Sequence, residues 1–125
     1  MKGGNKMNLP KRGEIYLVTL NPVIGSEIGK ERPALIISND VNNKFSDTVT
    51  LIPITSKLSK IYPFEVFVKS GESGLPEDSK IKCNQIRTVD KKRIIKYLGK
   101  VEQQKLKEVE KAILIHLGIT TFLSP

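Results

Sequence analysis

Apolar residues in this chain gather into short blocks separated by Gly, Pro, Asn and Asp, and most blocks carry the two-residue period of a strand. Glu14 to Leu20 (EIYLVTL) is rich in β-branched and aromatic residues and reads as a first strand, ended by Asn21-Pro22. Pro33 to Ser38 is continuously apolar apart from its end, which argues burial on both faces. Thr48 to Thr55 (TVTLIPIT) is a third strand with Pro53 inside it. Proline cannot donate to a ladder, so this strand is expected at an edge or bulged there. Tyr62 to Lys69 alternates as a half-buried strand. Ser79 to Ile86 alternates again, with Ile81, Cys83 and Gln85 on one side and Lys80, Lys82 and Asn84 on the other. Ile94 to Leu98 adds a short last strand before Gly99, and Val41 to Ser46 is polar with Phe45 as its only large apolar anchor.

Only Glu102 to Leu117 has a helical period. Leu106, Val109, Ile113 and Leu117 fall on one face, Glu102 suits the first turn, and Gly118 takes the C-terminal stop position. Short strands with frequent turns and one terminal helix predict a mainly β, α+β domain: a small β-barrel with a C-terminal helix packed on it. Met1 to Pro10 has two adjacent glycines and no apolar period, and is expected to be a disordered tail, with Met7 an alternative start. Residues 11–125 are expected to form a single domain.

Charge changes the picture more than composition does. Lys plus Arg number 21 against 13 Asp plus Glu, a formal net charge of +8 that favours polyanionic partners, nucleic acid before an anionic membrane. No apolar run approaches the ~20 residues of a spanning helix, so no membrane partner is expected. The single cysteine, Cys83, has no internal partner for a disulfide, which fits a reducing cytoplasm.

The longest loop precedes the most apolar strand. Asn21 to Arg32 carries Gly25, Ser26, Glu27 and Gly29, and loops of this length are often functional. Arg32 precedes Pro33, which biases its backbone to an extended conformation and its side chain to a defined direction. One Cys and one His, His116 on the helix, give no expected zinc site and no Ser-His-Asp or Cys-His arrangement, and no Gly-rich phosphate loop or cofactor motif is present. RNA cleavage needs none of these, because the 2′-hydroxyl is a nucleophile beside each phosphodiester. An enzyme must align that hydroxyl and stabilise charge on the crowded phosphate. Arg32, whose fork matches phosphate oxygens, and Thr55, each at the end of an apolar strand, are candidates.

Three blocks, GEIYLVTLNPVIGSEIGKERPALIISND, TVTLIPITSK and IKCNQIRTVDKKRI, together resemble the MazF/PemK-type toxin endoribonucleases over Lys11 to Gly118. That resemblance implies an SH3-like barrel, a homodimer, a cognate antitoxin, and metal-independent cleavage of single-stranded RNA at short motifs, leaving 2′,3′-cyclic phosphate and 5′-hydroxyl ends. It places Arg32 and Thr55 at the catalytic positions, Ser26 and Glu27 in a loop that contacts RNA, and Gln85 at a substrate-reading position. The chain departs from some members at Asn84, where they carry an aspartate proposed as general base, and at Lys82, where they carry an arginine. Asn84 cannot take a proton but can hydrogen-bond a base edge or phosphate, which leaves Glu27 as a candidate base.

Other readings remain beside these. Arg32 can be a strand-end cation paired with Glu27 or Glu31, and Gln85, pointing with Ile81 and Cys83, a satisfied interior amide. Lys57, Lys60, Lys80, Lys82 and Arg87 form either a phosphate track or a solvated surface. A non-catalytic SH3-like barrel that binds nucleic acid or peptide, and a toxin directed at gyrase, are the alternatives at the level of function.

Overall fold

The computed structural model describes residues 9–120. The seven strands are β1 (Glu14–Thr19), β2 (Glu31–Ile36), β3 (Thr48–Thr55), β4 (Glu65–Val68), β5 (Ser79–Lys82), β6 (Arg87–Asp90) and β7 (Ile94–Lys100). All pair antiparallel, in the order β4-β5-β3-β2-β1-β7 with β6 also on β3. Among the described residues there are also two α-helices, α1 (Asp40–Phe45) and α2 (Gln103–Leu117). The α+β class and the terminal helix agree with the sequence reading. Hydrogen bonds do not close the sheet. Its two ends meet where the β4–β5 loop crosses β7, and there Gly74 and Gly99 pass so closely that a Cβ on either would strike the other segment's backbone.

Period-two alternation sorts the apolar residues into two cores. On β2, Leu35 and Ile37 join the cluster beneath α2, while Ala34 and Ile36 join a second cluster on the opposite face. On β3, Ile52 and Ile54 serve the first cluster, Val49 and Leu51 the second. The doubly buried strand read from Pro33 to Ser38 is therefore present. Helix α2 contributes Leu106, Val109 and Ala112 to the first core, each worth up to about 1.5–3 kcal/mol for the larger side chains. Gly118 ends it in the left-handed conformation, φ 70°. Leu117 is exposed rather than packed, and Ala112 takes an inner position on the helix.

Three local expectations change. Pro53 lies in a central strand, not at an edge. The ladder tolerates it because residues 48–51 of β3 pair with β6 and residues 54–55 with β5, so Pro53 falls in the gap between two partners. The polar stretch after Asn39 is helical, and Phe45 is an exposed residue rather than an anchor. Its signal was the cap, Asn39 accepting from the Asn42 N–H at 2.8 Å, together with buried Asn43, which bonds Ser38. Six residues are too few for an apolar period to show. The strand from Ser79 stops at Lys82, and a 3₁₀ turn at Cys83–Gln85 redirects the chain into β6, which the sequence reading left out. Of the expected N-terminal tail, residues 1–8 lie outside the described residues, and so do 121–125 of the expected domain.

Candidate active site

The register of the sheet assembles the site. The β2–β3 ladder ends at the Ala34–Pro53 pair, and Arg32 and Thr55 lie two residues beyond it on their strands, both lining one cleft. Thr55 in turn pairs with Lys80 on β5. Arg32, Thr55 and Lys80 thus come from three neighbouring strands, continuing the face that carries the second core. Where the apolar residues of that face stop, a cleft of about 560 Å³ begins, lined by Arg32, Thr55, Lys80, Lys82, Lys57 and Glu27 among others.

Arg32 is half-buried and donates through Nε to the Gly29 carbonyl at 3.1 Å. Among the described residues no carboxylate pairs with it, so the strand-end ion pair with Glu27 or Glu31 is not formed. Its two terminal nitrogens are left for an anion. The carbonyl that aims it belongs to a tied loop neck, where Leu20 N–H donates to Lys30 O at 2.8 Å and Lys30 N–H to Asn21 Oδ1 at 2.9 Å. Gly29 has to lack a side chain, since a Cβ there would collide with Asn21 Oδ1 and Val23. Arg93 fastens the same neck from outside by donating to the carbonyls of Thr19 and Asn21, and Arg87 by donating to Leu20 O. Arg87 therefore leans on the loop rather than extending a lysine track.

Thr55 is buried, and its hydroxyl oxygen accepts from the Lys57 N–H at 3.2 Å, which leaves the hydroxyl proton for another acceptor. Behind it lies an ion group that sequence reasoning missed. Glu65 receives Lys80 and Lys82, each at 3.1 Å, and the Tyr62 N–H at 3.0 Å. Lys80, read as one of several surface lysines, is buried and also donates to Lys60 O at 2.6 Å. Glu65 pairs with Lys82 across β4 and β5, and alternation turns both away from Val66 and Ile81, with Lys82 lining the cleft and Glu65 buried outside its lining. Burial pushes the Glu65 carboxyl up, but the Tyr62 N–H and the two ammonium groups outweigh it and hold the group below its ordinary value. An acidic residue at the start of a strand opposite a Lys-X-Lys strand was the available signal.

Glu27, exposed in the loop, also borders a neighbouring cleft of about 410 Å³ with Asn84, Gln85, Ile86 and Arg87. The 3₁₀ turn breaks the two-residue period, so Gln85 leaves the side of Ile81 and Cys83 and accepts from the Ile28 N–H at 3.4 Å. It is not an interior amide. Asn84 Oδ1 is buried with no hydrogen-bond partner, a state that costs about 1–3 kcal/mol unless a ligand relieves it. Glu27 Oε1 accepts from the Ile24 N–H at 2.7 Å and closes the loop tip on itself. Ser26 is exposed and lines neither cleft. His116 is exposed on the last turn of α2, 6.2 Å from the Phe64 ring centroid, and lines neither. Cys83 lies in the first core, its thiol pushed up to about 12 by burial and by the charge of Glu65. Among the described residues no three His, Cys, Asp or Glu side chains gather as a metal cluster, and no helix is long and apolar enough to cross a membrane.

These features define a basic antiparallel-sheet protein whose cleft is lined by a guanidinium and a hydroxyl without ionic partners among the described residues. The profile of one protein family, PemK-like, MazF-like toxin of type II toxin-antitoxin system, matches residues 11–117, and the chain belongs to that family. It is 44% identical over 115 residues to the endoribonuclease MazF of Staphylococcus saprophyticus, covering 91% of this chain and 96% of that one. It is 35% identical over 114 residues to the endoribonuclease MazF9 of Mycobacterium tuberculosis, covering 87% and 97%. Its fold matches crystal structures from Deinococcus radiodurans. MazF superposes with a TM-score of 0.78 at 27% identity over 88% of this chain and 97% of the other. A MazE-MazF structure does so with a TM-score of 0.69 at 25% identity over 89% and 97%.

Proposed function

We propose that the protein is a metal-independent endoribonuclease toxin that cleaves single-stranded mRNA at a short sequence motif and is inhibited by a cognate antitoxin. The observation that carries this is one cleft lined both by Arg32, which has no counterion among the described residues, and by a Thr55 hydroxyl with its proton free. Family membership and the net charge of +8 support it.

In this reading the scissile phosphate enters the cleft with one non-bridging oxygen on the Arg32 fork and the Thr55 hydroxyl donating beside it. The 2′-oxygen forms a bond to phosphorus, the bond to the 5′-oxygen breaks, and the products are a 2′,3′-cyclic phosphate and a 5′-hydroxyl. Arg32 stabilises the negative charge that grows on the phosphate; its pKa above ~12 suits that role and not proton donation. Glu27, Ser26, Asn84 and Gln85 contact the RNA that leaves the cleft. The protein acts as a cytoplasmic homodimer, and exposed Val41 and Phe45, one turn apart on α1, offer an apolar patch for that contact.

Incubation with a single-stranded transcript in EDTA tests the proposal. Cleavage to 5′-hydroxyl fragments is expected, while a DNA copy of the same sequence stays intact because it lacks the nucleophile. Folded protein that leaves the transcript whole in EDTA overturns it. Retarded migration of the RNA without products would then indicate a binding barrel.

A further inference from the structure

The ion group behind Thr55 carries one more positive charge than negative. Lys80 and Glu65 neutralise each other, their side chains only 5% and 1% exposed. Lys82 reaches the other carboxylate oxygen at 3.1 Å yet keeps 23% of its side chain exposed, and it lines the same cleft as Arg32 and Thr55. Among the described residues no second carboxylate pairs with it. Its contact with Glu65 is an ion pair without hydrogen-bond geometry, so the ammonium's three donors stay uncommitted. Lys82 is therefore a cation fixed in direction from behind, with donors left on the cleft side and no charge of its own chain to satisfy them.

We propose that Lys82, oriented by Glu65, binds a second backbone phosphate of single-stranded RNA, adjacent to the phosphate that Arg32 and Thr55 engage. The proposal rests on the reading of this cleft as an RNA-cleaving site. It deepens that reading by giving the substrate a second anchor. RNA is chosen over an acidic protein segment because the site shares the cleft of Arg32 and Thr55, whose substrate in this reading carries one phosphate per nucleotide. Lysine acts on phosphate as a point charge, equally in ground and transition states, so Lys82 is a positioning residue that tightens binding more than it speeds the chemical step.

The test uses the full chain, an RNA oligonucleotide with one cut site, and the same oligonucleotide with a 2′-deoxy nucleotide at that site to report binding without chemistry. Lys82→Met is expected to raise KM about tenfold with kcat within about twofold. It should also reduce the slope of log binding constant against log salt by about 0.7, the contribution of one phosphate on a single strand. Lys82→Arg restores both, and an unchanged melting temperature in each variant separates binding from folding. A wild-type salt slope and KM in Lys82→Met overturn the proposal. So does unchanged RNA affinity accompanied by weaker binding of a polyglutamate peptide, which would give the site to an acidic protein. Should the wild-type protein bind the deoxy-substituted RNA but not cut the unmodified one, the cleavage reading fails, and the salt slope of Lys82→Met still decides the phosphate site.

Discussion

The two walls of the cleft are held in contrasting ways. On the Arg32 wall, the side chain is aimed by one backbone carbonyl three residues away, inside a loop whose neck is tied by short-range bonds. On the opposite wall, Glu65, Lys80 and Lys82 come from two strands and are locked by charge in a nearly dry setting. The difference follows from what each wall has to do. A guanidinium that meets a phosphate must stay free of carboxylates, so only neutral acceptors can orient it. Lys80, buried beside the site, has no such restriction, and without Glu65 its charge would be too costly to bury.

The largest effect that separates the walls is Arg32→Ala, expected to lower the cleavage rate at least ~10²-fold with little change in melting temperature. A variant that cuts at the wild-type rate would remove Arg32 from the chemistry. Glu65→Gln attacks the other wall and should cost about 3–5 kcal/mol of stability, read from urea unfolding, because two ammonium groups lose their counterion. If its midpoint matches wild type, the ion group is not structural. Gly29→Ala joins the two ideas: the added Cβ displaces the neck that aims Arg32, and about a tenfold loss in rate is expected, with a smaller change in stability.

Acid sharpens the contrast further. Glu65 has a lowered folded pKa, so its stabilisation is complete above the ordinary carboxylate value and is lost as pH falls through the folded one. The stability gap between wild type and Glu65→Gln should therefore narrow below about pH 4. The smallest effect concerns Cys83: buried, with its thiol raised to about 12, it should resist alkylation by iodoacetamide at pH 8 in the folded protein and react once unfolded.

Much of the architecture was readable because it is written in local periods. β1, β2, β3 and α2 each carry enough apolar residues to declare a period of two or of three to four. The short elements α1 and β6, six and four residues long, gave no such signal. Gln85 was assigned to the wrong side because alternation was carried through a 3₁₀ turn that its sequence does not announce. Arg32 and Thr55 were legible as strand-end polar residues beside loops, and their motifs added weight to both. Glu65 was invisible as a site residue, since a glutamate in an alternating strand looks solvated until its partner strand is known.

By itself, then, the sequence determined the strands, the terminal helix, the basic balance and the identity of the groups able to meet a phosphate, all properties of neighbouring residues. Only the tertiary structure decided the pairings that bring Arg32 and Thr55 to one cleft and set Thr55 beside Lys80. It also decided which of many lysines are buried and which one faces the cleft uncompensated. Those facts depend on pairings between strands distant in the chain, where burial and charge act through space and no local pattern carries them.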